Sequence, residues 1–483
     1  MLKPYPHQEQ VSTVASERDE YAFFWEMGCG KSGGLIHTLR KVFNKEKRIK
    51  RTLIFSPLVT LYNWKNEFKL HSKVDPKKVI VLSKSAKRLS QFVEATENPA
   101  SGFLERGAIV VVNYEAVQNE KFLNALLEWN PEIVVLDESH YCKNPRAKRA
   151  KAILKVTDKA ERRYIMTGTP ILNDVKDIFM QYRILDKGET FGKNFHLFMS
   201  KYMVDENARW SGKAGYFPKW VARTETFEKL NKLVYRKASR LRKEDVLKDL
   251  PPLVEDTRYV ALGPEQKKYY DEMKRDFVAF VKEQTASGEK SGAVVAQLAI
   301  TKALRLQQIV SGYVTTDSGE VIHLAKNPRI DALKDIVLEV SSNHKMIIWC
   351  SFIENYKMIG KMLDKMDIKH VFITGGMSLE EKQEAMDAFQ KDSDVRIVVA
   401  NRKAAGIGIN LVAASYSVVY SRNFSLGEEL QADARNHRGG SQIHDKITKI
   451  NLIAEGTIDD LALEAIKGKL DIATSIVDMA NNL

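Results

Sequence analysis

The chain has 483 residues, 44% of them hydrophobic, and a formal net charge of +13. That length suits two or three domains with ample cores, and the basic balance suits a polyanionic partner. No apolar run approaches the roughly 18 residues of a membrane span, the start Met1-Leu2-Lys3-Pro4-Tyr5-Pro6 lacks a secretory signal, and the cysteines at 29, 142 and 350 stand too far apart for a zinc cluster or disulfide framework, so a reducing, cytoplasmic compartment without membrane contact is expected.

In chain order, Tyr21–Trp25 is a short apolar run that predicts a buried strand. Gly28 and Gly30 then allow a tight turn that aims backbone N–H groups inward. A helix predicted from Ser32 to Val42 presents its N-terminus to the same place, which favours a phosphate. Lys31 can reach the β- and γ-phosphates, and Ser32 can ligate Mg²⁺. The longer form of this loop needs a glycine where Trp25 stands, so the match is to the shorter Gly-x-Gly-Lys-Ser half. The bland alternative is a glycine-rich turn with an exposed lysine. Further strands are predicted at 52–56, 79–82, 108–112, 133–136 and 164–166. The run Ile133–Leu136 fits a strand buried on both faces. Its carboxyl end carries Asp137 and Glu138, the first suited to Mg²⁺, mostly through water, and the second to deprotonating an attacking water. Their bland alternative is a pair capping a helix.

From about 186 to 325 strands become scarce and helices are predicted at 226–235, 264–285 and 293–310. From 326 the strand-helix rhythm returns, with strands at 346–350, 370–373, 396–400, 417–420 and 447–453 and a closing helix at 457–479, read as a brace across the lobes. The expected fold is therefore α/β, with two parallel-sheet lobes at 1–185 and 326–483 separated by helical insertions at 186–325.

The order of motifs resembles superfamily 2 helicase-like ATPases, and among them Swi/Snf-type DNA translocases. The segment Leu2 to Gln8 is similar to the adenine-recognising segment, and Glu26-Met27-Gly28-Cys29-Gly30-Lys31-Ser32 to motif I. Ser56-Pro57-Leu58 with Asn63-Trp64-Lys65-Asn66-Glu67 resembles motif Ia, and Asp137-Glu138-Ser139-His140 is a variant of the D-E-A-H box, followed by Lys143-Asn144. Met166 to Asn173 resembles motif III, Ile347 to Phe352 motif IV, Ala404 to Leu411 motif V and Gln431 to Gly440 motif VI. Gly439-Gly440-Ser441-Gln442 departs from the family's usual isoleucine, glycine, glutamine, so the loop there is expected to differ in shape.

The resemblance implies two RecA-like lobes, ATP and Mg²⁺ as cofactors, and ATP hydrolysis coupled to translocation on double-stranded DNA. A strand-separating DNA or RNA helicase is the alternative, and a binding subunit with a vestigial ATPase or a metabolic kinase fits less well. It implies Gln8 as adenine reader, Cys29 and Gly408 at the nucleotide, and Arg435 and Arg438 as arginine fingers, on one face if their segment is helical. Nucleic-acid contacts are expected at Ser56, Lys65, Asn113, Tyr114 and Thr167 in the first lobe and at Asn401, Arg402 and Asn410 in the second, independent of base sequence. Trp25 and Trp64 are expected to pack rather than stack on bases, and His140 to couple lobes or sit buried and satisfied. A minimal bacterial or virus-encoded motor, with an unidentified protein partner, is the form expected.

Overall fold

The computed structural model describes the chain apart from residues 62, 83–85, 98–107, 172–173, 212–219, 288–291, 317, 403–408 and 479–483. The chain divides into two compact units, residues 1–204 with 220–248 and 471–483, and residues 205–219 with 249–470.

The first unit is built on seven strands: β1 (Glu20–Trp25), β2 (Thr52–Ser56), β3 (Val79–Leu82), β4 (Ile109–Asn113), β5 (Ile133–Asp137), β6 (Arg162–Met166) and β7 (Ala238–Leu241). They pair in the order β3-β4-β2-β5-β6-β1-β7, all parallel. The interior strands read as unbroken apolar runs because each is covered on both faces; every residue of β2, β4 and β5 is buried. One face packs Phe55, Val110, Leu136 and Ile178 into one core, and the other packs Phe23, Trp25, Leu35 and Val135 into a second. Pairing of β5 with β6 and of β6 with β1 sets Asp137 level with Met166 and Met166 level with Phe23. The carboxyl ends of β1, β5 and β6 therefore lie side by side, the place where open α/β sheets bind ligands.

Three helices bear on that edge: α1 (Pro6–Ser16), α2 (Lys31–Glu46) and α3 (Asn63–His71). Helix α2 begins as predicted and runs one turn beyond the expected Val42, to a left-handed Lys47 with φ 58°.

The second unit carries β8 (Leu253–Val260), β9 (Lys345–Cys350), β10 (His370–Ile373), β11 (Ile397–Asn401), β12 (Ala414–Val419) and β13 (Ile447–Ala454). They form a second parallel sheet, ordered β8-β13-β12-β9-β11-β10. Its faces are again covered, by Leu333, Ile348 and Leu363 on one side and Trp349, Phe389 and Leu411 on the other. The helices Pro264–Ser287 and Gly292–Val310 and the closing helix Ile458–Asp478 stand close to their predicted bounds. Among the described residues no helix is long and apolar enough to cross a membrane.

Candidate nucleotide site

Strand β1 ends at the fully buried Trp25, and the loop after it turns through Gly28 (φ 93°) and Gly30 (φ 74°), a left-handed conformation that glycine alone adopts freely. A side chain at Gly30 would also meet Gln8, whose Nε2 lies 2.5 Å from the ideal Cβ position. Gln8 donates from Nε2 to the Gly30 carbonyl (2.9 Å) and accepts from the Tyr5 N–H at Oε1 (2.9 Å). His7 Nε2 lies 3.1 Å from the Cys29 carbonyl, and burial holds its imidazole below the usual range. Helix α1 thus clamps the loop from outside. Trp25, standing where the longer loop has glycine, is accommodated by Gly34, whose Cβ would fall 2.6 Å from the indole ring. Burial pushes the Cys29 thiol up to about 11, so this cysteine shapes the loop and is no nucleophile. Lys31 Nζ donates to the Trp25 carbonyl at 2.9 Å, and its charge acts on both carboxyls at the end of β5.

Those carboxyls occupy different surroundings. Asp137 takes two donors on one oxygen: the Ser56 hydroxyl (3.0 Å) and the Trp64 indole N–H (3.2 Å) both donate to Oδ2. The Tyr114 hydroxyl donates to its main-chain carbonyl (2.7 Å). Burial and the neighbouring Glu138 charge raise the Asp137 carboxyl well above the usual range. Glu138 sits at φ 55°, ψ 55°, a left-handed conformation uncommon for any residue but glycine, which turns the chain sharply off the strand. Its Oε2 accepts from the Thr167 hydroxyl (3.2 Å) and lies 3.3 Å from His140 Nδ1. Burial alone would raise its pKa, but His140, Lys31 and Thr167 together hold it below the usual range, so it stays ionised.

The oxygens fit a hard cation. Among the described residues, Asp137 Oδ1 and Ser32 Oγ have no hydrogen-bond donor or acceptor, while Asp137 Oδ2 is saturated. Among the same residues no group of three His, Cys, Asp or Glu side chains gathers to hold a metal. One carboxylate and one hydroxyl with room for waters suit Mg²⁺ rather than a closed protein cage.

Several residues expected on a nucleic-acid track are committed elsewhere. Ser56, Tyr114 and Thr167 are fully buried, and their hydroxyls serve Asp137 and Glu138. Asn113 is buried and donates to Glu115 (2.9 Å). Arg402 is buried in an ion pair with Glu429. A side chain spent on an internal partner is not offered to a phosphate, so at these five positions only the main chain could make the contact. Lys65 and Asn410 are exposed, the latter capping the Val412 N–H (3.2 Å). Asn401 donates to the Tyr356 hydroxyl (2.5 Å).

In the second unit the helix Leu426–Asp433 ends before the two arginines, so the condition on which they would share a helical face is not met. Arg435 and Arg438 lie in turns, because the chain leaves the helix at Ala434 and Gly440 (φ 104°) bends it again. The Arg435 carbonyl accepts from the Leu411 N–H (3.0 Å), tying this segment to the end of motif V. Gly408 and the Leu172-Asn173 end of motif III lie outside the described residues.

Residues 14–311 match the SNF2-related domain, and residues 328–440 match the helicase conserved C-terminal domain. The chain belongs to the SNF2-related family. The DNA annealing helicase and endonuclease ZRANB3 of Mus musculus is 26% identical to it, over 99% of this chain and 41% of its own. The TATA-binding protein-associated factor MOT1 of Saccharomyces cerevisiae is 25% identical, over 92% of this chain and 25% of its own. The uncharacterized ATP-dependent helicase MG018 of Mycoplasma genitalium is 25% identical, over 92% and 39%. This SNF2-related chain therefore spans well under half the length of these relatives. The Sulfolobus solfataricus SWI2/SNF2 ATPase core in complex with dsDNA aligns with a TM-score of 0.44 at 21% identity, covering 99% of this chain and 95% of that one.

The residues of this SNF2-related site that sequence reasoning missed are the ones around Asp137. Trp64 was expected to pack, and it does so at 2% exposure, but its N–H also reaches the carboxylate 73 positions away. The one local signal was an indole in the otherwise polar stretch Asn63 to Glu67.

Proposed function

We propose that this chain hydrolyses ATP and couples the hydrolysis to movement along double-stranded DNA. What carries the reading is the juxtaposition at one sheet edge of a glycine-built loop, an ammonium and two neighbouring carboxylates, with Asp137 Oδ1 and Ser32 Oγ left without a partner among the described residues. Backbone N–H groups of the glycine loop and Lys31 bind the phosphates, and Gln8, its amide spent on Gly30 and Tyr5, holds that loop in shape instead of reading the adenine. Ser32 and Asp137 hold Mg²⁺, which when bound neutralises charge on the β- and γ-phosphates. Glu138, kept ionised, orients the attacking water and takes its proton. Arg435 and Arg438 supply the finger charges of the reaction. Membership of a family whose relatives include a DNA annealing helicase supports DNA as the track, and the net charge of +13 supports a polyanion.

The test is the ATPase rate with a nucleic-acid panel. Duplex DNA raises it strongly over the protein alone, base composition changes little, and binding weakens with salt at a slope of about −0.9 per phosphate neutralised. Stimulation by single strands or RNA alone would favour the strand-separating helicase, and no stimulation by any nucleic acid would refute the motor.

A further inference from the structure

The buried indole of Trp64 spends its single N–H on the candidate metal ligand: it is shared between the Ser56 hydroxyl (3.1 Å) and Asp137 Oδ2 (3.2 Å). The Ser56 hydroxyl spends its own proton on the same oxygen (3.0 Å), and Thr60 Oγ1 lies 2.7 Å from Ser56, closing a small network around it. The Tyr114 ring stacks on Phe55 and on Tyr141, and its hydroxyl donates to the main-chain carbonyl of Asp137 (2.7 Å). The residue is thus held at its backbone, and two donors on Oδ2 restrain both side-chain torsions. Oδ1 then has one direction in which to point, away from Trp64 and Ser56.

Helix α3, which brings Trp64 in, also carries the exposed Lys65 at the next position and the exposed Lys69 one turn further on. Its buried side therefore touches the carboxylate while its outer side presents ammonium groups.

We propose that Trp64 is a positioning residue for Asp137, turning Oδ1 toward Mg²⁺, and that through α3 it makes the metal affinity of the site responsive to a nucleic-acid backbone laid against Lys65 and Lys69. The proposal rests on the ATP-site reading above. It assigns to this indole and to Ser56 a role in the layer behind the metal ligand, where loss of a partner typically costs about 10–100-fold in metal affinity.

The experiment measures the Mg²⁺ concentration needed for half-maximal binding of a fluorescent ATP analogue, with and without duplex DNA, in the full chain. In the parent protein duplex lowers that concentration. Trp64→Phe, which keeps a ring and removes the donor, raises it about tenfold or more and abolishes the response to duplex, while duplex affinity without nucleotide stays within about twofold. Ser56→Ala, a far smaller change in volume, shifts it in the same direction and guards against a folding defect in the larger substitution. In the ¹⁵N-indole spectrum, the resonance missing from Trp64→Phe moves when Mg²⁺ and ADP are added to the parent. Wild-type Mg²⁺ dependence in both variants, or a surviving duplex response in Trp64→Phe, overturns the proposal. Lys31→Ala separates the two readings. If Lys31→Ala retains parental nucleotide affinity, the ATP-site reading itself fails. If that variant loses nucleotide while the Trp64 and Ser56 variants behave as the parent does, only the positioning role fails.

Discussion

At the end of β5, the buried Asp137 and the half-buried Glu138 stand near the Lys31 ammonium, and among the described residues one Asp137 oxygen has no donor. Around Lys449 in the second unit, Glu429 is buried and Asp433 half-buried, but there the charges close on one another. Lys449 Nζ lies 3.0 Å from Glu429 and 2.7 Å from Asp433, and Arg402 completes the set on Glu429. Both clusters carry the desolvation cost of buried charge. In the first, polar capacity is left over and faces the sheet edge where ligands bind. In the second, the carboxylates are consumed in fixing the helix Leu426–Asp433 to β11 and β13. A buried carboxylate therefore speaks for catalysis only when its partners leave part of it unused, and that criterion, applied residue by residue, moves Arg402 from the expected nucleic-acid track to the scaffold.

The comparison breaks most sharply at Lys31. Lys31→Ala removes the ammonium proposed to face the phosphates, and nucleotide binding and hydrolysis are expected to vanish together while the melting temperature holds, as checked by nucleotide titration and thermal unfolding. Arg435→Ala and Arg438→Ala are expected to lower kcat by about 10³ or more, by the usual contribution of an arginine finger, with nucleotide affinity changed only a few-fold in equilibrium binding. Arg402→Met should do the reverse. Leaving Glu429 without Arg402 is expected to destabilise the protein by about 3–5 kcal/mol, read from denaturant unfolding, before any change in the ATPase of the fraction that remains folded. The smallest effect concerns acid. Burial alone would raise the Glu429 pKa, but Arg402 and Lys449 hold it below the usual range, to about 2. A lowered carboxyl contributes stability above its unfolded value of about 4.3, and that contribution is lost as pH falls through the folded value. Glu429→Gln should therefore lose less stability than the parent between those two pH values, measured as the shift in denaturation midpoint.

What was legible in the sequence was local. Eleven of the thirteen strands announced themselves as apolar runs, and the loop and acidic pair by spacing along a few residues; β7 and β8, inside the stretch expected to be helical, did not, because they are edge strands, one carrying Ser239 and Arg240 and the other polar and largely exposed. Gly439-Gly440 signalled a changed loop, and the structure shows Arg435 and Arg438 in turns rather than on a helix. What was not legible was pairing over distance. Trp64 and Tyr114 meet Asp137 across 73 and 23 positions, and Arg402 meets Glu429 across 27. Nothing in the spacing of those residues distinguishes a hydroxyl or guanidinium turned inward from one turned to a nucleic acid; only the order of the strands decides it. Ser56 and Thr167 sit at strand ends, as expected, but they face the carboxylates of the next strand.

The central claim, that Glu138 activates the attacking water while the rest of the site binds nucleotide, is tested most directly by Glu138→Gln. Equilibrium binding of Mg²⁺·ATP should match the parent within a few-fold, and single-turnover hydrolysis in the presence of duplex DNA should fall by about 10²–10⁴, the range of general-base contributions. Hydrolysis by the glutamine variant at the parental rate would contradict the account.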